Sequence, residues 1–180
     1  MRPHIFRVSV SWEVGDGEPT TSLRAFPRDS VATTPGIGAQ TSSPPNTRVG
    51  LEVSAAKAFF GDPSKWNPET LLLAALGQCH LLSFLRAAGV RGYEVAQATI
   101  DVSGELTLSS DGSGHFTFIE IQPSSSISGL DPEAHAETYS ELHEQAHTWC
   151  FIANSISCEI AVHPDTGVEC ANSEDADATT

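Results

Sequence analysis

Positive charge is scarce in this sequence. Its 180 residues hold 9 lysines and arginines against 23 aspartates and glutamates, a formal net charge of −14. Nucleic acid and anionic membrane surfaces are bound through basic patches, so this balance argues against both as partners. Long hydrophobic stretches are missing too: no apolar run approaches the roughly 20 residues of a membrane span. The first residues, MRPHIFRVSVSWEV, alternate and carry charge, so they read as a strand and not as a signal peptide. The four cysteines, at 79, 150, 158 and 170, form no C-x-x-C pair. That excludes a zinc ribbon and a thioredoxin-type motif. Four cysteines without a leader point to free thiols in a reducing compartment, hence to the cytoplasm.

What remains is 39% apolar and patterned along most of its length. One globular domain is expected over residues 1–164, with a Gly-, Pro-, Ser- and Thr-rich loop at 33–47. The acidic, apolar-poor residues 165–180 are expected to be a disordered tail. Residues 5–14 alternate with period two and predict a strand; GDGEP turns the chain, and residues 20–28 return it as far as Pro27. A third short strand is expected at 48–55. Residues 67–90 predict the longest helix, with Asn67 as N-cap, Pro68 at the first helical position, Glu69 in the first turn and Gly89 as its stop. Leucines surround this helix on nearly every side, which predicts burial all round and therefore a partner chain over it. A hairpin with a DGSG turn follows, then a helix opened by Asp131 and Pro132, then a strand at 157–164. The order β-β-β-α-β-β-α-β is an α+β pattern.

Two constellations carry chemistry. His143-Glu144-Gln145-Ala146-His147 spells H-E-x-x-H, in which two imidazoles one helical turn apart hold zinc and the glutamate acts as base. The longer form of this motif places Gly and His where the chain has Cys150 and Ala153. The candidate distal carboxylate, Glu169, falls in the tail. Zinc hydrolysis is therefore the minor reading. The other constellation is the pair of thiols, Cys79 within the first helix and Cys150 at the end of the second. A buried cysteine is more often a small core residue than a reagent.

The stretches WNPETLLLAALGQCHLLSFLRAAGV and LHEQAHTWCFIANSISCEIAVHP, taken in this order with strands between, resemble the OsmC/Ohr family of thiol-dependent peroxidases. The likeness covers roughly residues 5–164 and is nearest to the branch in which His follows the first Cys. It implies an OsmC-like fold of antiparallel sheets and two main helices in an intertwined homodimer. It also implies a peroxidase that reduces organic hydroperoxides through a Cys79 sulfenic acid and a Cys79–Cys150 disulfide, as an oxidative stress defence. By position, Glu69 matches the family's glutamate. Arg28, in FPRDS, is the best match to its arginine, with Arg24 the weaker alternative; Phe26 and Ser30 stand where the family has Tyr and His. No cofactor or metal is implied. The reductant would be an external dithiol, of lipoyl type in several members.

The chemistry is sensible in its own right. A thiolate attacks the O–O bond, a neighbouring Arg opposes the cost of burying it, and a Glu orients that Arg. The sulfenic acid left behind condenses with a second thiol, and a dithiol reduces the disulfide. Phe59, Phe60, Trp66, Phe84 and Trp149 are candidates to line an apolar pocket. Ten residues of helix rise about 15 Å, so Glu69 and Cys79 of one straight helix cannot touch the same small substrate. Either Glu69 reaches over from the loop end or it comes from a second subunit; the homodimer that the resemblance implies fits the second, a site shared by two chains. The competing function is a small-ligand-binding protein of the same fold with little turnover.

Overall fold

The computed structural model describes residues 4, 6–13, 27–34, 50–131 and 134–165. Arg24, Phe26, Pro132, Glu169, Cys170, most of the loop at 33–47 and all but the first residue of the tail lie outside them. Contacts divide the chain into two units, Met1–Leu72 and Leu73–Thr180.

The first unit holds three short strands, β1 (Ser9–Ser11), β2 (Ser30–Thr33) and β3 (Leu51–Val53), paired antiparallel in that order. The returning strand expected at 20–28 lies, apart from Pro27 and Arg28, outside the described residues; β2 follows it in the chain. Pro27 lacks an N–H for the ladder, and its carbonyl instead accepts the indole N–H of Trp12 at 2.7 Å. After β3 the chain passes through a single 3-10 turn, Lys57–Phe59. It then meets β3 again where the Ser54 amide donates to the Trp66 carbonyl at 2.7 Å. Apolar side chains of this unit face solvent: Phe6, Val8, Val10, Val31 and Leu51 are all exposed.

Helix α1 (Pro68–Val90) starts where the sequence predicts. The Asn67 side-chain oxygen accepts the Thr70 amide at 2.9 Å, which satisfies one of the orphan donors of the first turn. The stop is Gly92 and not Gly89. Gly92 adopts a φ of 81°, a left-handed conformation that costs glycine nothing, and the Tyr93 amide closes back on the Ala88 carbonyl at 3.0 Å. At 23 residues α1 is, by length and composition alone, apolar enough to cross a membrane. This corrects the expectation that no segment reaches that length, because a few interspersed polar residues do not lower the helix average enough. Within the single chain α1 is buried along one part of its surface. Leu76, Gly77, His80, Ser83, Phe84, Ala87 and Ala88 are buried, while Leu72, Leu82, Leu85 and Val90 remain exposed.

The second unit is built on a long hairpin, β4 (Val95–Leu108) and β5 (Gly114–Ile127), turned at Asp111 and Gly112 as predicted. Helix α2 (Ala136–Trp149) begins later than expected. Asp131 caps a preceding turn, accepting the Ala134 amide at 3.0 Å, and His135 is the residue at the helix boundary. The last strand, β6 (Glu159–Val162), pairs parallel to β5, so this sheet is mixed and not purely antiparallel. The α2 segment carries the chain back to the strand's starting end, which only a crossover connection allows. Gly77 permits α1 to approach β4: a Cβ there would come within 3.1 Å of the Val102 side chain. The observed order is β-β-β-α-β-β-α-β, with two main helices and two three-stranded sheets.

Candidate active site

Cys79 sits in the middle of α1, and Cys150 is the residue that ends α2. The fold brings them together in one apolar cluster of Leu76, Ile119, Ile121, Cys150 and Ala153, with Cys79, Ile160 and Val162 packed at its margin. Cys150 is fully buried, whereas Cys79 is half-buried. Burial pushes the Cys150 thiol up to about 11, and the neighbouring Cys79 thiol pushes it the same way. The amide of Ala153, which donates to the Cys150 sulfur at 3.4 Å, opposes this only in part. Cys150 is thus a protonated thiol at neutral pH. Cys158 precedes β6 and packs on the same cluster.

Beside the thiols lies a feature that the sequence motif misrepresents. His143, the first histidine of H-E-x-x-H, points inward and not toward solvent. Its Nδ1 lies 3.1 Å from Nε2 of His80, the residue after Cys79. Both rings are buried, at 1% and 0% exposure. They lie nearly parallel, and Phe84 stacks on His143 with ring centroids 4.2 Å apart. Burial drives His143 down to about 3 and His80 down to about 4, and each feels a neighbouring imidazole as a second cause. Both rings are therefore neutral at physiological pH. His147 acts on His80 electrostatically. With His143 committed to His80, the two histidines do not present a metal-binding pair. Among the described residues there is no group of three His, Cys, Asp or Glu side chains able to hold a metal. The signal for this pairing was present in the sequence as a histidine inside a leucine-rich run and another spaced three and seven residues before Ala146 and Cys150.

Arg28 and Glu69 are placed in the first unit. Arg28 lies over the Phe60 ring, 5.3 Å from its centroid. It lines a cavity of about 550 Å³ with Val10, Trp12, Val53, Pro68 and Leu71. Glu69 follows Pro68 in the first turn of α1, and its Oε2 is buried without a hydrogen-bond partner. Because α1 runs unbroken from Pro68 to Val90, Glu69 and Cys79 stay about 15 Å apart along the axis. Of the aromatic residues suggested for a pocket, Phe84 is core, Trp149 packs at the core's margin beneath Arg86, and Phe60 and Trp66 are exposed.

A family model described as OsmC-like protein matches residues 61–164. The chain belongs to the OsmC-like family. Its match spans α1, the β4–β5 hairpin, α2 and β6, so it includes both cysteines and both buried histidines. No protein of curated function matches the chain by sequence. Among solved structures, an OsmC-like protein of unknown function from Vibrio cholerae is 25% identical with a TM-score of 0.74, covering 90% of this chain and 99% of its own. An organic hydroperoxide resistance protein from Elizabethkingia anophelis is 15% identical with a TM-score of 0.59, covering 91% and 100%. The organic hydroperoxide resistance protein OhrB of Bacillus subtilis is 16% identical with a TM-score of 0.58, covering 89% and 98%. At these identities the last two likenesses establish a shared fold. The OsmC-like fold is thus common to all three, and the residues that act must be argued from this chain.

Proposed function

We propose that this OsmC-like protein is a two-thiol peroxidase that reduces organic hydroperoxides to alcohols in defence against oxidative stress. The observation that carries this reading is the packing of Cys79 against Cys150 in one cluster. The two thiols divide the roles by environment. Half-buried Cys79 attacks the terminal peroxide oxygen as a thiolate; the O–O bond breaks, the alkoxide takes a proton and leaves as alcohol, and Cys79 becomes a sulfenic acid. Cys150, fully buried, then loses its proton and attacks the Cys79 sulfur. The sulfenic hydroxyl leaves as water, and the disulfide forms. An external dithiol, of lipoyl type, returns both thiols by exchange.

Arg28 and Glu69 enter this reading as groups that orient substrate and steady the thiolate, contributed across a homodimer. The exposed Leu72, Leu82, Leu85 and Val90 of α1 support such a pairing, since apolar surface of this kind is removed from water by association. A cytoplasmic setting fits thiols that must be regenerated. The test is turnover of cumene or t-butyl hydroperoxide with dihydrolipoamide as reductant. Cys79→Ser should abolish it, a loss of at least about a thousandfold, and retained turnover would overturn the reading.

A second reading is a small-ligand-binding protein, favoured by the apolar cavity around Trp12 and Arg28. Binding there would survive Cys79→Ser unchanged, which separates the two.

A further inference from the structure

The buried histidine pair has no part in the thiol cycle, and its position asks for a reason. His143 stacks on Phe84 of one apolar cluster, and His80 follows Cys79 at the edge of another. One contains Phe84, Ala87, Tyr139, Leu142 and Ala146. The other contains Leu76 and Cys150, with Cys79 at its edge. The first is made by α1, α2 and Ile127 of β5; the second is made by Leu76 of α1, Ile119 and Ile121 of β5, and Cys150 and Ala153 at and just beyond the end of α2. Apolar contacts are non-directional, so each cluster by itself would tolerate α2 sliding along α1. The histidine contact would not. Its two rings are neutral and share one hydrogen bond at 3.1 Å. Whichever ring donates, one of the two outer nitrogens, His80 Nδ1 and His143 Nε2, carries a hydrogen and the other a lone pair. Both atoms are buried with no protein partner. The site therefore already carries two unsatisfied groups, and slippage would add two more at the full desolvation cost.

We propose that the His80–His143 hydrogen bond fixes the register of α2 on α1 and thereby holds Cys150 against Cys79. The connections are short. His80 is the neighbour of Cys79 in the chain, and Cys150 follows His143 by seven residues, two helical turns on the same face. A single buried polar contact that sets helix register at a cost in stability is a known use of such groups. The histidines are positioning residues, and they touch neither peroxide nor reductant. This inference rests on the two-thiol reading above.

The test measures the effective concentration of the two thiols, with no peroxide present. A parent chain carrying Cys158→Ser and Cys170→Ser is equilibrated in glutathione redox buffers, and the Cys79–Cys150 disulfide is quantified by alkylation and mass spectrometry. His143→Leu or His80→Leu should lower the disulfide equilibrium constant about tenfold, the size of one hydrogen bond lost. His143→Asn places a polar atom where Nδ1 stood, and His80→Gln places one where Nε2 stood; each should restore most of the constant. The double variant His80→Leu/His143→Leu, followed by thermal melting, guards against a purely structural effect. Removing both partners should recover melting temperature while the disulfide constant stays low. Leucine variants with the parent's constant would overturn the proposal. So would Asn and Gln variants as poor as the leucines, or a double variant in which constant and stability recover together. A parent that forms no Cys79–Cys150 disulfide in any buffer would overturn the two-thiol reading as well.

Discussion

The two units of this chain differ in how much of their apolar side-chain surface they bury. In Leu73–Thr180 a core forms: Leu76, Phe84, Ile119, Ile121 and Leu142 are fully buried, while Leu82, Leu85, Val90, Leu108 and Phe151 remain exposed. In Met1–Leu72, among the described residues, Val53 is buried while Phe6, Val8, Val10 and Leu51 are exposed. The difference follows from what each unit has to pack with. The second unit has two helices that cover a long hairpin, so each element finds another's apolar face. The first has three strands of three or four residues, too short to bury both faces by themselves. The thiols and the buried histidines lie in the unit that completes its core. Arg28 and the cavity lie in the one that does not.

Acid should break the second unit first, and this is the largest stability effect expected. His143 and His80 are held near 3 and 4 in the folded state, chiefly by burial, against an ordinary value of about 6.5. Below that ordinary value the unfolded chain takes up protons that the folded chain refuses, so folding weakens as pH falls. The contribution is intact above about pH 6.5 and is lost progressively toward pH 4 and below, at up to roughly 2–3 kcal/mol per pH unit for two groups. Urea unfolding followed between pH 7.5 and 4.5 reads this slope. The double leucine variant of both histidines should flatten it, and an unchanged slope in that variant would place the acid sensitivity elsewhere.

Equal truncations in the two units sharpen the contrast. Leu76→Ala removes a fully buried side chain and should cost about 2–5 kcal/mol. Val10→Ala, at 63% exposure, should change the stability of a lone chain by less than about 0.5 kcal/mol. If its effect is instead large and depends on protein concentration, a second chain covers that strand. Melting curves at two concentrations decide between these.

The smallest effect lies at the start of α1. Asn67→Ala deletes the cap on the Thr70 amide and should cost about 1 kcal/mol. Asn67→Asp keeps an acceptor in place and should cost less, as measured by denaturant midpoints.

Much of this was legible in local sequence. The cap at Asn67, the hairpin around Gly112 and the order of elements are set by residues close in the chain, where propensity and turn chemistry operate. Boundaries that depend on a competing local bond were less legible. Asp131 caps a turn instead of the helix, and Gly92 with Tyr93 closes α1 beyond Gly89. The parallel pairing of β6 was not legible at all, because strand direction is fixed by where α2 delivers the chain.

The same division runs through the site. The sequence alone determined that two thiols lie on two helices and that the pair resembles a known family. Only the tertiary structure decided that the thiols meet, that Cys150 is the fully buried one, and that H-E-x-x-H is broken by a histidine turned inward to His80. The physical reason is that spacing along a helix specifies which residues share a face, while burial and pairing depend on what the fold places against that face.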